Sequence, residues 1–361
     1  MLEFERLDRV AAIKVLVVDD SITMRALFSS TLDRSNNLVV VGAAANADEA
    51  REMIADLNPD VVTLDIEMPG MSGIEFLEEI MTTKPIPVIM LSTLTQKGAE
   101  STLRALEIGA IDCFPKPTKA TPDEFAKLSD KLCKLVATAS KSKLRVYVPG
   151  QIAAQADLAQ SGDADAHYNW NGNVVVISAS TGGSVAVTEM LASWPSDCPP
   201  TIVLQQLEEG LGAPFAARLN KAIRPTTVVA EDGMLLKQGH VYVLSEPDRH
   251  GLIDRWPNGA IRLIARDPVN GCRPSADLLF SALAKVGGAQ SVGVILSGIG
   301  EDGVAGLAAI RRSGGLTLCQ NRDGAMFSEA VEAAMACGAA EQQLPLADLA
   351  QSALARCALH D

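Results

Sequence analysis

Short apolar segments alternate with helical segments from Ile13 onward, and this alternation constrains the fold more than any other feature of the chain. The first apolar segment, IKVLVVDD, is followed by SITMRALFSSTLDRS, in which apolar residues recur at the helical period. Four further pairs follow before residue 140, with LVVVGAAA, VVTLD, PVIMLST and IDCFPKP as their strands. Short apolar strands that alternate with amphipathic helices predict a parallel sheet covered by helices on both faces.

A second series of the same kind begins at Val174. Its predicted strands are VVVIS, TIVLQQ, HVYVLS, SVGVIL and GLTLCQ, and its predicted helices lie near residues 184–193, 213–223, 275–286 and 303–313. The intervening segment has mixed charge and no sustained periodicity, apart from IAAQADLAQ, which is compatible with a helix. We therefore predict an α/β protein of two doubly wound domains, at residues 1–137 and 172–361, joined by a linker at 138–171.

Composition excludes several classes of function. The formal net charge is −13 and the sequence has no run rich in lysine and arginine, so a nucleic-acid partner is not expected. The segment MLEFERLDRVAAIK lacks the apolar core of a signal peptide, and no apolar run is long enough to span a membrane. The seven cysteines form no CxxC pair, which favours reduced thiols. We expect a cytoplasmic protein that is not membrane-embedded.

Acidic side chains follow two strands of the first predicted sheet. Asp19 and Asp20 end the first strand and Asp65 ends the third, while Ser92 and Thr93 end the fourth and Lys116 ends the fifth. Ligands of doubly wound sheets bind at the carboxyl ends of the strands. Three converging carboxylates predict a site for a hard cation such as Mg²⁺, and a lysine and a hydroxyl there are suited to hold phosphoryl oxygens.

The order and spacing of VVDDS, LDIEMPGMSG, MLST and KP resemble the receiver domain of two-component response regulators. The resemblance implies a flavodoxin-like fold and a phosphoacceptor at Asp65. It implies a Mg²⁺ site made of the side chains of Asp19, Asp20 and Asp65 with the backbone of Glu67. It assigns phosphoryl sensing to Ser92, Thr93 and Lys116, and a chemotaxis histidine kinase as partner. One departure is Cys113, which stands where such domains place an aromatic switch residue.

The second constellation starts at Ser180 in the stretch VVVISASTGGSVAV. A strand, a glycine turn and a helix are predicted there, an arrangement that lifts a serine hydroxyl above the sheet as a nucleophile. Turn amides and a helix N-terminus are suited to stabilise an oxyanion. Two alternatives remain open from this stretch alone: Ser180 or Thr181 caps the helix, or the turn binds a phosphate.

The series ASTGG, QQ, FAARLNK, EDG, GHVYV, DRH, RPSADLLF and GVILSGIGEDGVAG resembles the catalytic domain of the CheB family. These are chemotaxis protein-glutamate methylesterases that also deamidate glutamines of methyl-accepting chemoreceptors. The resemblance implies a Ser-His-Asp triad without a cofactor, with Ser180 as nucleophile and Asp302 as its acid. It also implies that an unphosphorylated receiver covers the catalytic site and that phosphorylation relieves this cover.

The position of the triad histidine is occupied by Gln206, and Cys272 replaces a second histidine of the family before RPS. A primary amide is not basic, so Gln206 cannot accept the serine proton in the usual way. His240, His250, Glu208 and Glu209 are the alternatives for a substitute base. Two functions follow: a slow esterase and amidase with a substitute base, or a phosphorylation-controlled binding protein that has lost hydrolysis.

Overall fold

The computed structural model describes residues 12–93, 96–117, 122–144, 147–148 and 167–359. The chain divides into two compact units, residues 1–148 and 149–361. In the described part of the chain, none of the helices combines the length and the apolar character needed to cross a membrane.

The first unit is a five-stranded parallel sheet in the order β2-β1-β3-β4-β5, which confirms the predicted flavodoxin-like fold. The strands are β1 (Ile13–Val18), β2 (Leu38–Ala44), β3 (Val61–Asp65), β4 (Val88–Ser92) and β5 (Asp112–Pro115). The helices are α1 (Ile22–Leu32), α2 (Ala47–Leu57), α3 (Gly73–Thr83), α4 (Gln96–Ile108) and α5 (Pro122–Ala139). Strands β3 and β4 are buried along their whole length, as expected for a sheet covered on both faces.

Local hydrogen bonds explain where the first helices begin. The side chains of Ser21 and Asn46 accept backbone N–H groups of α1 and α2. Ser72 and Glu75 form a capping box at the start of α3, in which each side chain bonds the other residue's backbone N–H. Such caps contribute about 1 kcal/mol each, and here they fix the loops that follow β1, β2 and β3.

The second unit is a seven-stranded sheet in the order β14-β13-β12-β6-β7-β9-β8, and every pairing in it is parallel. Its strands are β6 (Val174–Ala179), β7 (Thr201–Gln205), β8 (Thr226–Val229), β9 (His240–Leu244), β12 (Ser291–Ile295), β13 (Leu316–Gln320) and β14 (Gln342–Leu344). Strands β10 (His250–Ile253) and β11 (Ile261–Ile264) form a separate antiparallel pair. The helices are α6 (Gly183–Leu191), α7 (Gly212–Ala222), α8 (Ala276–Gly287), α9 (Val304–Arg312), α10 (Glu329–Ala336) and α11 (Leu346–Cys357).

All five strands and four helices predicted for the second unit are present, with ends shifted by a few residues. The sequence pattern did not predict β8, the β10–β11 pair, β14, α10 or α11. Strand β14 has three residues, and none of them is fully buried. A segment this short at the edge of a sheet has too few apolar residues to show a period.

Each sheet has a switch point, where the chain proceeds in opposite directions from two neighbouring strands. In the first unit it lies between β1 and β3, because the chain adds β2 on one side and β3 to β5 on the other. In the second unit it lies between β6 and β12. The loops after these strands carry Asp19, Asp65, Ser180 and Asp302, so both candidate sites lie where open α/β sheets bind ligands.

The predicted linker at 138–171 is only partly within the described residues. Its first two residues complete α5, and IAAQADLAQ lies outside the described residues. The Nδ2 of Asn171 donates to the carbonyls of Arg356 and Ala358 at 2.9 and 3.0 Å. The end of the predicted linker is therefore fixed to the C-terminal part of the second unit.

Helices α8 and α9 pack closely because of Gly306. A Cβ atom at this position would lie 2.6 Å from the Cβ of Phe280 and 2.8 Å from the carbonyl oxygen of Asp277, both on α8. These are distances that real Cβ contacts do not show, so only glycine allows this approach.

Gly306→Ala should therefore destabilise the second unit by about 1–3 kcal/mol through overpacking. Helix propensity alone would give the opposite sign, since alanine is favoured over glycine by about 1 kcal/mol. The measurement is the free energy of unfolding from urea titration. Ala305→Gly, at an exposed position of the same helix, is the control and should show only the propensity loss of about 1 kcal/mol. A more stable Gly306→Ala variant would contradict the tight packing.

Candidate functional sites

Three carboxylates meet at the carboxyl edge of the first sheet. Asp19, Asp20 and Asp65 each offer an oxygen, and these oxygens all lie within 4.8 Å of one another. Asp19 and Asp65 are buried, whereas Asp20 is exposed. Carboxylate oxygens at this spacing fit a hard divalent cation, which prefers oxygen ligands.

Lys116 stabilises the two buried carboxylates. Its Nζ lies 2.8 Å from Asp19 Oδ2 and 2.6 Å from Asp65 Oδ2. Three carboxylates and one ammonium leave two negative charges in the pocket, which matches the charge of a divalent cation. Burial raises the pKa of Asp65 to about 6, although the Lys116 hydrogen bond and charge act in the opposite direction.

The predicted phosphoryl-sensing residues lie at the same edge. Ser92 is buried at the end of β4, and its carbonyl accepts the backbone N–H of Lys116 at 2.8 Å. Thr93, the next residue, is exposed. The backbone N–H of Glu67 donates to Asp65 Oδ1 at 3.2 Å, which places the Glu67 backbone beside the predicted phosphoacceptor.

Gly73 lets α3 begin directly against Asp65. A Cβ atom at Gly73 would lie 1.8 Å from the Asp65 carbonyl oxygen, so the motif MPGMSG requires glycine at its last position.

Cys113, which stands at the predicted position of an aromatic switch residue, is buried on β5. Its Sγ lies 3.8 Å from the carbonyl oxygen of Thr102 on α4. This position therefore holds a small thiol packed against α4.

Ser180 lies in a turn that is packed by glycines. Gly182 has a positive φ of 74°, and a Cβ at Gly298 would lie 2.5 Å from Ser180 Oγ. The backbone N–H of Ile299 donates to Ser180 Oγ at 3.0 Å. The N-cap of α6 is Gly182, which has no side chain, and so the alternative that Ser180 caps this helix is wrong. The hydroxyl instead faces the loop after β12.

Asp302 is held by four donors. Its Oδ1 accepts the hydroxyl of Ser275 at 2.8 Å and the backbone N–H of Asp277 at 3.1 Å. Its Oδ2 accepts the backbone N–H of Ala276 at 2.8 Å and the Nε2 of Gln206 at 3.3 Å. Burial raises the pKa of Asp302, while the backbone N–H groups act in the opposite direction. Asp302 therefore also serves as an anion at the N-terminus of α8.

Helices α8 and α9 are capped reciprocally by two aspartates. Asp277, in the first turn of α8, accepts the backbone N–H groups of Gly303 and Gly306 at 3.0 and 2.8 Å. Asp302, in the loop before α9, accepts the N–H groups that begin α8. Each aspartate thus satisfies donors at the start of the other helix. No local spacing relates residues 277 and 302, so the sequence pattern did not predict this pairing.

Gln206, the residue directly after β7, donates its side-chain N–H to Asp302. The same Nε2 also lies 3.4 Å from the carbonyl of Pro274. Its neighbour Gln205 is buried and donates to the carbonyls of Ser180 and Gln206 at 3.0 and 3.2 Å. Gln205 therefore joins the serine turn to the loop that carries Gln206, a role that the sequence analysis did not assign.

Cys272 lies beside Gln206. Burial raises the pKa of its thiol, and the charge of Asp302 raises it further, while a hydrogen bond with the Gln206 side chain lowers it. The thiol is therefore held in its protonated form near neutral pH, which makes it a poor proton acceptor.

Neither of the two candidate histidines is placed to act as a base for Ser180. His240 begins β9, whereas Ser180 follows the end of β6. Because the strands are parallel, His240 lies at the amino ends of the strands and Ser180 at their carboxyl ends. His250 is fully buried, accepts the Ser275 backbone N–H at its Nδ1 (3.1 Å) and bonds the Asp267 carbonyl through its Nε2 (3.0 Å). Both of its ring nitrogens are therefore engaged, with the proton on Nε2.

Two stretches of the chain match known families. Residues 175–353 match the CheB methylesterase family, and residues 15–126 match the response regulator receiver domain. A protein-glutamate methylesterase/protein-glutamine glutaminase of Agrobacterium fabrum is 44% identical over 95% of this chain and 96% of its own length. The chain belongs to the CheB methylesterase family. Similar relatives with the same function name occur in Caulobacter vibrioides (44% identity, 96% of this chain and 98% of the relative) and Bordetella pertussis (39%, 95% and 97%).

The CheB resemblance predicts a histidine where Gln206 lies, and the geometry shows what the glutamine does there. Its amide N–H group occupies a donor position on Asp302, the position that an imidazole N–H would take in a triad. The other predicted triad residues, Ser180 and Asp302, lie on the loops after β6 and β12, on the two sides of the switch point.

Asp302→Asn should destabilise this CheB-family chain even if it never hydrolyses a substrate. The amide would turn one N–H group toward backbone donors of α8 and leave one of them unpaired, which costs about 1–3 kcal/mol. The measurement is the free energy of unfolding. Glu301→Gln, at the exposed neighbouring position, is the control and should stay within about 0.5 kcal/mol. Equal stability of Asp302→Asn and the parent would contradict the capping role.

The receiver of this CheB-family chain should bind Mg²⁺ less tightly as the pH falls through about 6, where Asp65 takes up a proton in the absence of metal. The affinity should fall on acidification because protons and Mg²⁺ compete for the same carboxylate. At low pH, Mg²⁺ must displace a proton from Asp65 in order to bind. The measurement is calorimetric Mg²⁺ titration of the full chain over a pH series. Asp65→Asn should abolish the pH-dependent part. An affinity that rises on acidification would contradict this assignment.

Proposed function

We propose that this chain is a phosphorylation-controlled chemotaxis regulator that recognises methylated glutamate or glutamine side chains of chemoreceptors and hydrolyses them only slowly. The single observation that carries the proposal is the contact of Gln206 Nε2 with Asp302 Oδ2 at 3.3 Å. An amide fills the place of the base in a site that is otherwise built for serine hydrolysis.

The receiver part of the proposal assigns Asp65 as the phosphoacceptor for a chemotaxis histidine kinase. A carboxylate oxygen of Asp65 attacks the phosphorus, and the phosphorus–nitrogen bond to the kinase histidine breaks. Lys116 already lies 2.6 Å from Asp65 Oδ2 and is suited to bind a phosphoryl oxygen. Asp19, Asp20, Asp65 and the Glu67 backbone would hold Mg²⁺, which when bound supplies positive charge beside the phosphoryl oxygens.

The substrate class follows from the relatives, which are named as methylesterases and glutaminases. Ser180 Oγ would attack the ester carbonyl, methanol would leave, and water would then release the receptor carboxylate. The backbone N–H of Ile299 donates to Ser180 Oγ at 3.0 Å, so it would stabilise the negative charge that develops on Oγ as the proton leaves. Such a donor supports a slow attack by Ser180 on the substrate even when no side chain acts as a base.

The missing step is proton transfer from Ser180. Deletion of a triad member typically lowers the rate by about 10³- to 10⁶-fold, because the serine hydroxyl is a weak nucleophile without a base. Gln206 has no basic lone pair, the Cys272 thiol is held protonated, and both nitrogens of His250 are engaged. These three observations support slow hydrolysis as an intrinsic property of the site.

A binding function without hydrolysis is the second candidate, and the position of Asp302 favours it. Asp302 bonds the N-terminus of α8 whatever the chemistry of Ser180, so its presence does not depend on catalysis. In this case, phosphorylation of Asp65 controls receptor engagement rather than turnover.

The experiment is methanol release from methylated chemoreceptor by the purified full chain, with Mg²⁺ and with or without a small phosphodonor. Gln206→His should raise the rate by about 10²- to 10⁴-fold, the usual contribution of a general base. Imidazole reaches Asp302 as the amide does, so the variant completes the triad. The double variant Ser180→Ala with Gln206→His should show no release.

Three outcomes separate the candidates. Release by the parent that Ser180→Ala removes, with no gain in Gln206→His, would overturn slow hydrolysis and point to a substitute base such as Glu208. Slow release by the parent and fast release by Gln206→His supports the proposal. No release by the parent, together with phosphodonor-dependent receptor binding that Asp65→Asn removes, supports the binding function.

A further inference from the structure

Arg25 contacts the loop after β1, although it belongs neither to the predicted metal ligands nor to the predicted phosphoryl-sensing residues. It lies in the first turn and a half of α1, and its guanidinium folds back over the loop after β1. Its Nη1 donates to the carbonyl of Asp19 at 2.6 Å and to the carbonyl of Asp20 at 2.9 Å. One charged donor therefore fixes the backbone of two consecutive predicted metal ligands.

The three carboxylates of the pocket differ in how they are held. Asp19 Oδ1 accepts the backbone N–H of Ser21 at 2.9 Å, and its Oδ2 contacts Lys116. Asp65 Oδ1 accepts the backbone N–H of Glu67 at 3.2 Å, and its Oδ2 also contacts Lys116. Both buried carboxylates are thus held at each oxygen before any cation arrives.

Asp20 has no comparable restraint on its side chain. It is exposed, and none of the hydrogen bonds found among residues 12–93 and the other described ranges ends on its carboxylate. Its carboxylate position therefore depends on the backbone at residue 20. The bond from Arg25 to the Asp20 carbonyl restrains that backbone, because a rotation of the Asp20 peptide would break it.

We infer that Arg25 is a positioning residue for Mg²⁺ binding, which holds the Asp19–Asp20 turn so that the Asp20 carboxylate faces the other two. The inference rests on the proposed function, since the metal site belongs to it. Second-layer contacts of this kind orient metal ligands in advance, and their loss typically lowers metal affinity about 10- to 100-fold.

The alternative role for Arg25 is purely electrostatic, and it predicts the opposite sign. A guanidinium near the pocket repels a divalent cation, so removing its charge would strengthen Mg²⁺ binding. A positioning role predicts weaker binding when the two carbonyl contacts are lost. The direction of the affinity change therefore separates the two roles.

The experiment is calorimetric titration of the full chain with Mg²⁺, using the parent, Arg25→Met and Arg25→Lys. Methionine keeps a long side chain and a high helix propensity, so α1 is retained. We expect Arg25→Met to raise the Kd for Mg²⁺ by about 10-fold, the lower end of the range for such contacts. Arg104→Met, which removes an exposed guanidinium on α4 that lies 3.7 Å from Glu78, is the matched control and should leave the Kd unchanged.

A second readout is the rate of receiver phosphorylation by a small acyl phosphate as a function of Mg²⁺ concentration. A positioning residue shifts the Mg²⁺ concentration at half-maximal rate and leaves the maximal rate within about 2-fold, whereas a fold defect lowers the maximal rate itself. If Arg25→Met unfolds, Arg25→Lys still reports the loss of the two-carbonyl contact, because lysine retains the charge but its Nζ ends one bond short of the Nη1 position that makes both bonds.

An unchanged or lower Kd in Arg25→Met and Arg25→Lys would overturn the inference while leaving the metal site intact. Failure of the metal site itself has a different signature. The parent would then show no Mg²⁺ binding beyond that of Asp65→Asn, which would overturn both the site and the role of Arg25. Weaker binding in both Arg25 variants, with a normal Arg104→Met, supports the inference.

Discussion

The strongest constraint on this molecule is that the carboxyl ends of parallel strands meet at one edge of a sheet. A right-handed crossover after each strand leaves the loops at that edge free, and the reversal of strand order opens a crevice between two of them. Between β1 and β3 the crevice collects carboxylates, and between β6 and β12 it collects a serine turn and an aspartate loop. The same architecture thus produces two chemically different sites in one chain.

Preorganisation differs between these two sites. The acidic pocket has two carboxylates held at both oxygens and a lysine that bridges them, so most of its geometry exists without a cation. The serine site has its backbone donor in place, yet the side chain at the end of β7 is an amide. The acidic pocket thus brings its predicted ligands together, whereas the predicted triad has an amide at the position where a base is expected.

Sequence patterns predicted the fold well where the pattern was local. Alternating strands and helices identified both parallel sheets, and strand-end residues identified the acidic cluster and the position of Ser180. Short edge elements such as β14 escaped because three residues carry no period. The contacts of Asp277 with Gly303 and of Arg25 with two carbonyls were also out of reach, since they depend on side-chain directions that spacing does not encode. The linker boundaries and the roles of the site residues stay predictions.

The reciprocal capping of α8 and α9 has a consequence for how this family is read from sequences. Asp302, a predicted triad member, is also needed to bond the backbone N–H groups that begin α8, whatever the chemistry of Ser180. Asp302 therefore has little value as a marker of an active hydrolase, and the residue directly after β7, here Gln206, is the more informative one.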